Sequence, residues 1–312
     1  MELSLLLAQQ IIALFIMMLV GFVLVKLDLL KVSASDVLAT LVVYVFSPCV
    51  ILRSFVNADY SKETFSGLLI ATFGALIVHI IYISLSKLGE KFLGFNNIEK
   101  ASLVYSNAGN LIIPLVAATL GDEWVFYSCA YIMANTFIFW SHGKSVICKE
   151  PSIDLIKAIK NPNNIAIILG FILFLMDVEL PSLVDTVTGN FGNMIGPASM
   201  MVIGILMATV KFKSIFTNKR AYAICFGRLI LYPMITILFF CFSGIMNLHP
   251  QADQILLVTI LAAAAPCAAN VTQVAQLYHQ DSQYASALNV MSVIFCVVTM
   301  PIMVAVYQMF LR

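Results

Sequence analysis

Two short polar clusters interrupt apolar stretches of this 312-residue chain. The first is Ser106-Asn107-Ala108-Gly109-Asn110-Leu111-Ile112-Ile113-Pro114; the second is Ala265-Pro266-Cys267-Ala268-Ala269-Asn270-Val271-Thr272-Gln273. Proline lacks an amide donor and frees the carbonyl four residues before it, which is Asn110 for Pro114 and Ala262 for Pro266. In hydrocarbon an unpaired backbone group costs several kcal/mol, so such breaks persist only where protein or a watery cavity satisfies them. Asn107, Asn110, Asn270 and Gln273 are therefore the candidate substrate contacts. Gly109, Pro114 and Pro266 mark the helix breaks, and Ser106 and Thr272 are accessory hydroxyls. A kinked helix tied to its neighbours by amides would explain one such cluster; two at matching positions favour a site.

The elements that must position these clusters are membrane helices. The chain is 61% hydrophobic and 11% charged, with mean hydropathy +0.98, whereas a soluble domain is about 45–50% apolar and about 25% charged. A lipid bilayer is the natural solvent. The near-neutral net charge of +1 gives no reason to expect nucleic acid as a partner. Spanning takes about 20 apolar residues, and the chain divides into 5–26, 35–56, 65–86, 100–120 and 124–146, then 163–180, 187–210, 218–246, 252–278 and 283–310. The fold class is all-α integral membrane, with about ten transmembrane helices. Residues 1–148 form a first five-helix repeat, 149–162 a short cytoplasmic connection, and 163–312 a second repeat. An odd number of spans per half inverts the second half relative to the first, an arrangement common in secondary transporters. Both clusters fall in the fourth helix of their half.

Basic residues set the orientation. With the N-terminus outside, the inside loops carry Lys26 and Lys31, Lys87 to Lys100, Lys144 to Lys160, and Lys211 to Arg220. The outside segments carry only Arg53, Lys62 and Arg312. Both termini are thus expected on the non-cytoplasmic side of the inner membrane. The first apolar run has no basic residue before it, which is the reverse of a signal peptide. Trp124 and Trp140 lie about 24 Å apart along one helix, a separation suited to interfacial anchoring.

Electrostatics narrows the ligand to an anion. Every Asp and Glu falls in a loop or near a predicted helix end, so no carboxylate sits at mid-membrane to hold a cation or carry a proton. The second halves of the broken helices, roughly 110–120 and 269–278, would aim positive dipole ends at one central spot. Sodium coupling through neutral carbonyl oxygens stays open, as does uniport; no cofactor and no metal site is expected. His79 reads as a packed or interfacial histidine. Arg228, within helix 8, reads first as a side chain reaching the cytoplasmic interface and second as an accessory anion contact. Pro48 and Pro197 would bend the second helix of each half, and Gly192 and Gly196 form a weak small-residue spacing. The seven scattered cysteines carry no CxxC pair. There is no GxSxG or HExxH, so an enzyme is not expected. A membrane sensor that binds a small ligand without moving it is the alternative to a carrier.

The same residues resemble the auxin efflux carrier family, bacterial relatives of the plant PIN-formed auxin carriers within the bile acid/auxin-type superfamily. The match runs through Ser106-Asn107-Ala108-Gly109, Ile113-Pro114-Leu115 and Leu120-Gly121-Asp122-Glu123, then Ala265 to Asn270, Val274 to Tyr278, Asp281 and Met300-Pro301. Gly21-Phe22, Leu29-Leu30 and Ser47-Pro48 agree as well. The resemblance implies two inverted repeats whose helices 4 and 9 cross at their breaks. It also implies a homodimer and an elevator-type movement past a scaffold of helices 1, 2, 6 and 7. Plant members share the Asn seven residues before the proline, which makes Asn107 the first substrate contact and Asn270 its counterpart. The implied substrate is a small organic anion: a mono- or dicarboxylate such as malate or malonate, or an auxin-like acid.

Overall fold

The computed structural model describes residues 2–150, 153–209 and 217–311. Lys211, Lys213 and Arg312, used above to orient the chain, lie outside the described residues. The described residues are helical apart from turns, connections and one isolated two-residue bridge. In chain order the helices are α1 (Glu2–Lys26), α2 (Ala34–Val56), α3 (Lys62–Leu93), α4 (Asn97–Val104), α5 (Ala108–Thr119), α6 (Asp122–Ile138) and α7 (Lys144–Cys148). They continue with α8 (Leu155–Ile159), α9 (Pro162–Leu175), α10 (Ser182–Met207), α11 (Lys219–Phe242), α12 (Ala252–Ala263), α13 (Ala269–Leu277) and α14 (Ser282–Phe310). Among the described residues six helices, α1, α2, α3, α10, α11 and α14, are long and apolar enough to cross a membrane. α5, α9 and α12 are apolar but shorter. The segments expected at 100–120 and 252–278 are each two helices joined by a non-helical break, at 105–107 and 264–268.

Local sequence explains several of the ends. Asn96 and Glu99 form a capping box that starts α4. Ser61 caps α3 through the Thr64 amide, and Asn218 caps α11. Gly94, at φ 64°, ends α3 in the left-handed region.

Prolines shape the long helices. Pro48 and Pro233 lack the amide donor of the ordinary helical pattern, and a π turn precedes each, at Val42–Phe46 in α2 and Gly227–Leu231 in α11. α10 is interrupted at Met194, three residues before Pro197. The second and seventh segments thus depart from regular α-helix near Pro48 and Pro197.

Two glycines set the closest helix contact. A Cβ on Gly21 of α1 would lie 2.5 Å from the carbonyl oxygen of Met201 in α10, and one on Gly204 of α10 would overlap the Met18 carbonyl of α1. With no hydrophobic drive between helices in lipid, such small-residue seams let backbones touch. Gly196 meets Pro114 and Leu14 at ordinary contact distances.

Candidate functional site

The two breaks meet. Ser106 and Cys267 form the isolated antiparallel bridge. The Asn107 amide donates to the Pro266 carbonyl at 2.9 Å, and the Ala268 amide donates to the Tyr105 carbonyl at 3.0 Å. Each break's non-helical backbone is thus partly satisfied by its counterpart from the other break. α4 and α12 end at this bridge; α5 and α13 begin at it. No side chain caps the first turn of α5 or of α13, so their partial positive ends remain available to a ligand.

Side chains from neighbouring helices complete the breaks. Asn135 of α6 donates Nδ2 to the Ser106 carbonyl at 3.2 Å. Asn289 of α14 donates Nδ2 to the Cys267 carbonyl at 2.6 Å, and Ser292 accepts from the Cys267 amide at 3.0 Å. Asn135 Oδ1 also lies 3.2 Å from His79 Nε2, where it accepts when that nitrogen carries the proton. His79 is buried, its other nitrogen against the Ala75 carbonyl at 2.7 Å, which agrees with its reading as a packed histidine. Ser106 Oγ donates to the Tyr131 hydroxyl at 3.4 Å.

A small cavity of about 30 Å³ lies beside the bridge. Asn107 and Pro266 face it from the breaks. The rest of its wall is apolar: Ile11, Leu14, Phe15 and Met18 of α1, Leu111 of α5, Met200 and Ile203 of α10, and Val293, Cys296, Val297 and Met300 of α14.

The sequence-derived candidates are placed unevenly. Asn107 is buried and lines the cavity, and its Oδ1 accepts from Asn110 Nδ2 at 3.1 Å. Asn110 and Asn270 are half-buried in the first turns of α5 and α13. Gln273 is exposed on α13, and the Thr272 hydroxyl is buried with no partner among the described residues. Gly109 approaches Asn163 of α9, Pro114 is buried inside α5, and Pro48 sits half-buried in α2.

Arg228 does not reach an interface. It is fully buried, donating Nε to the Ala265 carbonyl at 3.0 Å and Nη1 to the carbonyls of Leu103 at 3.0 Å and Val104 at 3.4 Å. Depth along a helix suggested an interfacial side chain; the two half-helix ends beside it supply acceptors that water would otherwise provide.

Sequence reasoning missed Asn135, Asn289 and Ser292. Each is a single polar residue in an apolar run, a signal too common to separate from ordinary packing.

At the loop end of α4, Glu99 is buried yet fully engaged. Arg220 of α11 donates Nε to its Oε1 and, at 2.8 Å, Nη2 to its Oε2; the Tyr284 hydroxyl donates at 3.0 Å and the Asn96 amide at 2.8 Å. Burial pushes the carboxyl pKa up, but these donors outweigh it and hold the group below its usual value.

Six helices among the described residues, long and apolar enough to cross a membrane, together with two helix breaks paired at a bridge beside a cavity, fit a multi-pass membrane protein, and the family match below makes it a membrane transport protein and not an enzyme. The profile of the family described as Membrane transport protein matches residues 6–152 and 146–304. The chain belongs to that family, the auxin efflux carrier and PIN-type membrane transport proteins. Comparison with curated proteins finds no match.

Proposed function

We propose that this protein carries small organic anions across the inner membrane by alternating access at the bridge between the two breaks. The observation that carries the reading is the pair of uncapped helix N-termini that begin at the bridge, next to the Asn107 side chain on the cavity wall. Backbone amides at a helix start and a carboxamide donor suit a carboxylate. Asn107 is the first contact and Asn110 holds it; Asn270 of α13 is the matching group, with Gln273 and Thr272 further along that helix. The apolar cavity wall favours acids with a hydrophobic body, such as auxin-like aromatic acids, over malate or malonate, whose second carboxylate would lie against Leu, Ile, Val and Met.

In this reading the chain has ten spans in two inverted repeats, 1–148 and 163–312, joined by a cytoplasmic connection at 149–162. α4 with α5 forms the fourth span and α12 with α13 the ninth. Both termini are non-cytoplasmic, and the protein works as a homodimer in which the bridge region moves past a scaffold in elevator fashion. These features rest on loop charge and the family's pattern.

The test is thermal stabilisation of purified protein by a panel of aromatic monocarboxylates, aliphatic monocarboxylates, dicarboxylates and organic cations, followed by flux in proteoliposomes under an imposed potential. Stabilisation by acids and acid flux are expected. Stabilisation by cations alone, or binding without flux under any gradient, would overturn the carrier.

A further inference from the structure

Arg228 lies on the opposite side of the bridge chemistry from an anion site: it addresses carbonyls. Its side chain leaves α11 within the π turn Gly227–Leu231, a local rewinding often found at functional positions. Leu103 and Val104 are the last residues of α4, and Ala265 lies just beyond the end of α12. One guanidinium therefore hydrogen-bonds the C-terminal ends of both first half-helices. It also lies over the Tyr82 ring, 5.4 Å from the centroid, a favourable cation–π position.

No carboxylate pairs with Arg228 among the described residues, and a buried charge with no compensation is strongly disfavoured. The compensation present is dipolar. A helix C-terminus carries about half a negative charge, so two converging ends present about one, which a single guanidinium matches. In carriers with discontinuous helices, carbonyls at half-helix C-terminal ends coordinate Na⁺ or H⁺. Here those acceptors are already taken by a side chain.

We propose that Arg228 is a built-in counter-cation of the bridge, a positioning residue that neutralises and holds both half-helix C-termini in the place where a coupling cation would otherwise bind. The positive charge travels with the protein, so the N-termini of α5 and α13 can receive an anion without a co-bound Na⁺. The consequence for coupling rests on the anion-carrier reading; the placement of the charge does not.

The experiment compares melting temperatures of wild type, Arg228→Lys, Arg228→Gln and Arg228→Ala in sodium, potassium and choline chloride, with and without millimolar guanidinium. Wild type should melt at the same temperature in all three salts. Arg228→Ala should fall by about 10 °C, recover most of that loss with guanidinium, and become more stable in sodium than in choline. Arg228→Lys should retain more stability than Arg228→Gln. A saturable, sodium-specific stabilisation of wild type would sink the proposal, as would an Arg228→Gln protein as stable as wild type or an Arg228→Ala protein that guanidinium does not rescue. If the variants do not fold, the wild-type salt comparison decides alone. None of these readouts needs a substrate, so failure of the anion panel and failure of the counter-cation are separate results.

Discussion

The backbone amide of Asn107 is spent on Pro266, at 2.9 Å across the bridge, while its side chain faces the cavity. One residue thus divides its two polar functions: the main chain joins the breaks, and the carboxamide is presented to whatever enters. Substitution of the side chain should therefore separate binding from architecture.

Asn107→Ala keeps the bridge bond and deletes the carboxamide. Acid binding should weaken by about 10- to 100-fold, the loss of a hydrogen bond to a charged group being about 1.5–3 kcal/mol. The melting temperature without ligand should change little. Asn107→Asp should abolish acid-dependent stabilisation altogether, since it sets a second anion at the site. Equal acid-dependent shifts in wild type and Asn107→Ala would move the site elsewhere.

Asn135 and Asn289 each donate to a break carbonyl, one on each side of the bridge. Asn135→Leu and Asn289→Leu should each cost about 1–3 kcal/mol, because a buried carbonyl loses its donor. Melting curves of the two single variants check this. Stability unchanged in both would mean that the break carbonyls do not depend on these amides.

The Glu99 carboxyl is held below its usual value of 4.5 in the folded protein. A carboxyl with a lowered folded pKa stabilises the fold above its unfolded pKa, and that contribution is lost as pH falls through the folded one. Stability from this group should be level from neutral pH down to about 5 and decline only below about 4.5. Glu99→Gln should be less stable at neutral pH and show a shallower acid decline. A titration of melting temperature against pH for both proteins gives the answer.

Gly204→Ala should destabilise by about 1–3 kcal/mol or prevent folding, because its methyl overlaps the Met18 carbonyl, a backbone atom that cannot rotate away. Gly196→Ala, whose nearest neighbours are Pro114 and Leu14 at 3.6 Å and 3.8 Å, should be tolerated. Expression and melting of the pair test the tightness of the seam.

Much of this was legible in the residues themselves. Proline and asparagine together at mid-span can hardly be an uninterrupted lipid-facing helix, so both breaks were readable before their geometry was known. That they bond to each other was not, because the pairing of residues about 160 apart in the chain leaves no local trace. Depth along the span grouped Asn270 with Gln273, whereas α13 buries Val271, Val274 and Ala275, leaves Asn270 half-buried and leaves Gln273 exposed. Arg228 was misread for a related reason. Distance from a helix end measures depth, whereas the acceptors it uses come from two other segments.

The glycine seam between α1 and α10 has a mechanical consequence. Backbones that touch at Gly21 and Gly204 are keyed like a tongue in its groove, and neither helix can slip along the other without first climbing over a carbonyl. The same pair also lines the cavity with Leu, Ile, Met and Phe side chains, whose rotamers can change where the glycine contact cannot. A displacement that opened the cavity would therefore have to carry α1 and α10 together as a single piece.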